Sequence, residues 1–123
     1  MPLVAKPQYI HEPTPLQCGQ AVLAMLGGKT VDEIIALVGT ERETTLKDMK
    51  QAMCALEIEF SNQKKEAHKK ADLPSVCILS LETPRCWHWS LYFDGVFYDP
   101  EHGVMDDFCE SNRRYYWEIY KNC

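Results

Sequence analysis

The chain has 123 residues, 46% of them hydrophobic and 25% charged, with a net charge of −5. That length holds a real though small core and fits one globular domain over residues 1–123. The acidic balance argues against nucleic acid as a partner, because phosphate binding needs clustered Lys and Arg. Lys64, Lys65, Lys69 and Lys70 do gather, but Glu66 and Asp72 interrupt them, as on a solvated face.

No stretch approaches the roughly 20 apolar residues of a membrane span. Met1 to Pro7 lacks the continuous apolar core of a secretory signal, and the six cysteines include no Cys-x-x-Cys pair. The expectation is a cytoplasmic protein with reduced thiols, no membrane partner and no cofactor.

Four prolines in residues 1–15 predict an extended approach, which delivers Leu16 to Leu26 as an apolar helix closed by Gly27-Gly28. Cys18 falls in the first turn, where the partial positive charge of a helix N-terminus favours an anionic sulfur. Gly19, without a Cβ, is expected to let a substrate carbonyl approach that sulfur. Thr30-Val31-Asp32-Glu33 has the form of a capping box and opens a second helix, with Val31, Ile34, Ile35 and Val38 at helical spacing and Gly39 as its stop. A third helix starts near Thr44 or Thr45 and carries Leu46, Met49, Met53 and Leu56 on one stripe.

The second half changes period. Ile58 to Phe60 reads as an edge strand, and Ser61 to Asp72 is polar without periodicity. Val76 to Leu81 is a near-continuous apolar run of strand length, expected to pair with the strand that holds His88. Tyr115 to Tyr120 reads as a final strand or a short helix. Cys54 and Cys77 are placed on buried faces as inert small hydrophobes. The architecture expected is α+β, a helical N-terminal lobe packed on a C-terminal antiparallel sheet.

The chemistry sits in Trp87 to Asp99. Asp94-Gly95 between aromatic and β-branched runs signals a two-residue hairpin turn, so Phe93 should face Val96, Tyr92 face Phe97 and Leu91 face Tyr98. Alternation then puts His88, Ser90 and Tyr92 on one face with Phe97, Asp99 and Glu101, and makes His88 and Asp99 diagonal neighbours. Trp87 and Trp89 turn to the opposite face. With Cys18 these residues read as a Cys-His-Asp nucleophilic triad, in which the carboxylate fixes the imidazole tautomer. His102 competes with His88 but lies in a turn beyond the strand, and His11 reads as a surface residue. A zinc site from Cys18, Cys86, His88 and His102 lacks the paired short-range ligands of structural sites, so no metal is expected.

Gln17-Cys18-Gly19-Gln20-Ala21, Trp87-His88-Trp89 and Tyr98-Asp99-Pro100 with Gly103 resemble the papain-like cysteine peptidases of the bacteriocin-processing, double-glycine-leader type, most of all small stand-alone bacterial and phage members. The resemblance runs in order from Cys18 to Gly103. It implies a papain-like fold with Cys18 as nucleophile, His88 as general base and acid, and Asp99 orienting His88. Such enzymes carry an oxyanion-hole glutamine six residues before the cysteine, where this chain has Glu12. An ionised carboxylate cannot donate to an oxyanion. Either Gln17 or Gln8 takes over, with Gln17 preferred, or Glu12 is held protonated, or catalysis is weak.

The function expected is hydrolysis of peptide or isopeptide bonds in a peptide or protein substrate. The alternatives are an impaired module that binds a peptide or protein in the same groove, and an acyl transferase using the same triad.

Overall fold

The computed structural model describes residues 6–120. The part of the proline-rich approach in residues 1–5, with Pro2, lies outside the described residues, as does Cys123. Three helices come first: α1 Cys18–Gly27, α2 Val31–Val38 and α3 Leu46–Ala55. Each boundary has a local cause. Gly28 takes the left-handed conformation that ends α1, and Gly39 does the same for α2. Thr30 and Glu33 close a reciprocal capping box on α2, as expected, and Thr45 with Asp48 closes another on α3.

Six strands follow: β1 Lys65–Glu66, β2 Val76–Glu82, β3 Trp87–Phe93, β4 Val96–Asp99, β5 Gly103–Met105 and β6 Arg114–Glu118. They form one antiparallel sheet in the order β1-β6-β2-β3-β4-β5. The hairpin register is the expected one, with Phe93 opposite Val96, Tyr92 opposite Phe97 and Leu91 opposite Tyr98. Asp94 and Gly95 have φ of 46° and 88°, the pair of left-handed residues that a two-residue turn of matching twist requires. The tail is a strand, inserted between β1 and β2. Of Ile58 to Phe60, only Phe60 pairs, through an isolated bridge to Ile119.

The sheet is buried on both faces. On one face Val22, Leu23, Met25, Ile34, Met49 and Met53 from the helices meet Val76, Ile78, Leu91, Phe93 and Trp117. On the other, Cys77, Leu79, Leu81, Tyr92, Phe97 and Tyr116 make a second cluster under Ala67, Leu73, Phe108 and Cys109. Loops around residues 67–73 and 105–109 thus add cover that a two-layer reading omits, and they explain why β2 is apolar without alternation. Cys77 is buried as expected. Cys54 is not: it is exposed, because it lies one residue, about 100° of helix, past the buried Met49, Ala52 and Met53 stripe.

The reason for Gly19 also differs from the expectation. A Cβ there would sit 1.9 Å from Thr44 Oγ1 and 3.1 Å from both Thr44 Cβ and Met49 Sδ. The missing side chain lets the loop before α3 close on the first turn of α1. Gly19→Ala is therefore expected to cost about 1–3 kcal/mol through overpacking, and Thr44→Ala in the same chain should recover part of that loss in a urea-unfolding cycle. Additive losses would show that the two positions do not collide.

Candidate active site

Cys18 occupies the first position of α1, whose opening N–H groups have no partner within the helix. α1 packs along β3, and the backbone N–H of Trp89 donates to Cys18 Sγ at 3.4 Å. This contact fixes the sulfur beside the start of β3, where His88 is 5% exposed. Trp89 braces the same region: its indole Nε1 donates to the carbonyl of Thr44 at 3.2 Å, and its ring packs on Trp117.

His88 lies between two partners. Its Nε2 is 2.9 Å from Asp99 Oδ1, and a nitrogen of its ring lies within 4.8 Å of the Cys18 sulfur. Asp99 is fully buried and accepts from several directions. Ser90 Oγ donates to Oδ2 at 3.1 Å, the backbone N–H groups of Glu101 and His102 donate to Oδ1 at 3.0 Å, and His102 Nδ1 lies 3.0 Å from Oδ1. Burial alone would raise the Asp99 carboxyl, but the hydrogen bond and charge of His88 with the two backbone donors hold it down to about 2. Burial likewise pulls His88 down, and Asp99 and Cys18 outweigh it, pushing the imidazole up to about 10. His102 meets the shared carboxylate from the half-exposed side. It is a second partner of Asp99, not a substitute for His88.

The approach segment completes the site. Tyr9 donates its hydroxyl to the Asp99 carbonyl at 2.6 Å, and the Glu12 N–H donates to the Pro100 carbonyl at 2.9 Å. Those two bonds tie the segment to the end of β4 and turn the Glu12 side chain inward, where it is 6% exposed. One Glu12 oxygen, Cys18 Sγ and a ring nitrogen of His88 lie within 4.8 Å of one another. Glu12 Oε1 is buried with no hydrogen-bond partner. Burial raises the Glu12 carboxyl, partly offset by His88 and reinforced by Glu101 and Asp99.

Neither glutamine weighed as an oxyanion donor reaches this place. Gln17 Nε2 donates to the Glu41 carbonyl at 3.1 Å, so the preferred candidate is committed to the loop before α3. The cause is angular: successive residues at a helix start project about 100° apart, so Gln17 turns away from the face that shows Cys18. Gln20 works beside it, donating to Thr40 and Arg42 carbonyls at 3.1 and 2.7 Å. Gln8 is exposed and lines a separate cavity near the C-terminal end of α1. His11 is exposed, as expected.

Cys18, His88 and Glu12 open into a cleft of about 550 Å³ bordered by Leu16, Thr44, Trp87 and Arg85. Arg85 is paired with Glu101 at the rim. Trp87 is 49% exposed and stacks on Tyr115; both tryptophans border the cleft, and Trp89 also packs on Trp117. The zinc set weighed from the sequence does not assemble, since Cys86 is exposed and His102 is turned to Asp99. Among the described residues, the candidate metal-holding groups are Glu12-Cys18-His88 and His88-Asp99-His102. In the second, Asp99 Oδ1 already receives hydrogen bonds from two backbone N–H groups, which leaves it poorly placed to ligate.

Ser90 and Tyr9 were not singled out as site residues by the sequence. Ser90 had a usable signal, because hairpin parity puts it on the His88 and Asp99 face. No known protein-family model matches the chain, and no match is found among curated proteins. No helix among the described residues is long and apolar enough to cross a membrane.

The His88-Asp99 pair gives stability a definite pH dependence. Asp99, depressed from about 3.9 in the unfolded chain, contributes fully above that value and loses its contribution as pH falls through about 2. His88, raised from about 6.5, contributes fully below that value and loses it as pH rises through about 10. The urea midpoint should be highest between about pH 4 and 6.5 and decline on both sides. In His88→Ala the alkaline decline should flatten; an unchanged alkaline slope would show that His88 is not its source.

Proposed function

We propose that this chain is a papain-like cysteine peptidase, acting in a reducing, cytoplasmic compartment on peptide or isopeptide bonds. The observation that carries the reading is one imidazole 2.9 Å from Asp99 and within 4.8 Å of the Cys18 sulfur, lining a cleft. The bacteriocin-processing peptidase resemblance of the Cys18, His88 and Asp99 segments supports the same reading.

The residues divide the work as follows. His88 holds the proton of Cys18, and the thiolate attacks the substrate carbonyl carbon. The carbonyl oxygen takes up the electron pair and is stabilised by free N–H groups in the first turn of α1. Collapse of this intermediate breaks the C–N bond, and the leaving amine takes the proton from His88. The acyl group stays on Cys18 as a thioester. Water then gives a proton to His88 and attacks the thioester, which releases the carboxylic acid and restores the thiol. Asp99 keeps the imidazole in one tautomer throughout.

Glu12 supports a second reading, an impaired module that binds a peptide in this cleft. An ionised carboxyl beside the sulfur repels a developing oxyanion, and a neutral one can donate to it.

A thiol-directed electrophile separates the two. The peptidase reading expects Cys18 to label well ahead of the exposed Cys54 and Cys86, and expects His88→Ala to abolish that preference. Equal labelling of the three thiols would leave only the binding module. In chelator-treated protein, Glu12→Gln should raise the acylation rate with an activated ester by on the order of 10²-fold, the worth of one oxyanion donor. A lower rate would show that Glu12 itself assists the reaction.

A further inference from the structure

The geometry points to a Zn²⁺ site made by Glu12, Cys18 and His88, with its fourth coordination position open to the cleft. Zinc accepts sulfur, imidazole nitrogen and carboxylate oxygen together, whereas Mg²⁺ and Ca²⁺ want oxygen donors. The three donor atoms here lie within 4.8 Å of one another, and all three residues are buried. A tetrahedral Zn²⁺ at bond lengths of about 2.0–2.3 Å holds its donors roughly 3.3–3.7 Å apart. Side-chain rotation of about 1 Å per donor closes the difference.

Three independent features prepare the donors. Glu12 Oε1 is buried without a hydrogen-bond partner, and an oxygen of this same carboxyl lies within 4.8 Å of the sulfur and the imidazole; a cation is what such a carboxyl lacks. Asp99 holds His88 Nε2, leaving Nδ1 for the cleft side; a carboxylate behind a ligating histidine is the usual support of a zinc-bound imidazole. Glu12 is also not free to drift, since its N–H is fixed to the Pro100 carbonyl, next to Asp99. One hairpin end therefore orients two of the three ligands.

The site differs from the one that the sequence spacing argued against, because its donors come from the approach segment, α1 and β3. Binding releases the Cys18 thiol proton into solvent and places Zn²⁺ on both the sulfur and the imidazole. Metal occupancy and thiol chemistry then exclude each other. Only that last consequence rests on the peptidase reading; the metal site stands on the donor geometry.

The test uses the full chain, stripped with a chelator and titrated with ZnCl₂ alone against a chromophoric zinc indicator. One equivalent should bind, with MgCl₂ giving none at the same concentrations. Cys18→Ala and Glu12→Gln should each weaken binding on the order of 10–100-fold or more, with unchanged circular dichroism. CoCl₂ should give a sulfur-to-cobalt charge-transfer band that Cys18→Ala removes. Zinc uptake that persists in Cys18→Ala, or that Glu12→Gln leaves unaltered, overturns the assignment. Zinc should also block alkylation of Cys18 in the unsubstituted chain; alkylation at the same rate in saturating zinc overturns it as well. Electrophile labelling of the metal-free protein reads the peptidase proposal separately, so either can fail alone.

Discussion

The Asp99 carboxylate is the interaction on which the site depends. A fully buried acid survives only when donors surround it, and here they come from His88, Ser90, His102 and the backbone of the turn after β4. The same residue's carbonyl receives the Tyr9 hydroxyl, and the next residue's carbonyl receives the Glu12 N–H. One strand end thereby sets both the imidazole and the approach segment. Removing the carboxylate would leave several donors unsatisfied at once, so the energetic and chemical roles of Asp99 cannot be separated by a single truncation.

Much of this arrangement is local in origin and therefore legible in the sequence. A two-residue turn at Asp94-Gly95 allows one register, and that register puts His88, Ser90 and Asp99 on one face whatever the rest of the chain does. Capping residues at Thr30 and Thr45 announce their helices for the same reason. Other features have no local signal. The insertion of β6 between β1 and β2 is a long-range pairing choice, and the cover over Phe97 and Leu79 comes from irregular segments without periodicity. The burial of Glu12 also depends on a distant acceptor, Pro100, that no spacing rule connects to it. Gln17 misleads for a simpler reason: proximity in sequence to Cys18 says nothing about direction on a helix.

Gly19 shows how one residue serves packing where chemistry looks sufficient. Its place after a candidate nucleophile invites an explanation in terms of substrate approach. Thr44 fills that space instead, and the Gln17, Gln20 and Trp89 hydrogen bonds to residues 40–44 hold the loop there. This loop also borders the cleft, through Thr44 and Glu43. The first turn of α1 is therefore clamped from two sides, by the loop and by the Trp89 N–H. A nucleophile gains from such clamping, because a sulfur held in one place needs little reorganisation when it reacts.

Glu12 decides what that rigid site is for. A donor at this place makes the pocket complementary to an oxyanion, while a carboxylate makes it complementary to a cation, and the two demands have opposite signs. Burial favours the neutral acid and the neighbouring imidazole favours the anion, with burial the larger effect. A zinc ion and an oxyanion then select different states of the same three side chains. On the proposals made above, the protein gains a thiol that is reactive only when the metal is absent, and the exchange needs no movement of the sheet or the helices.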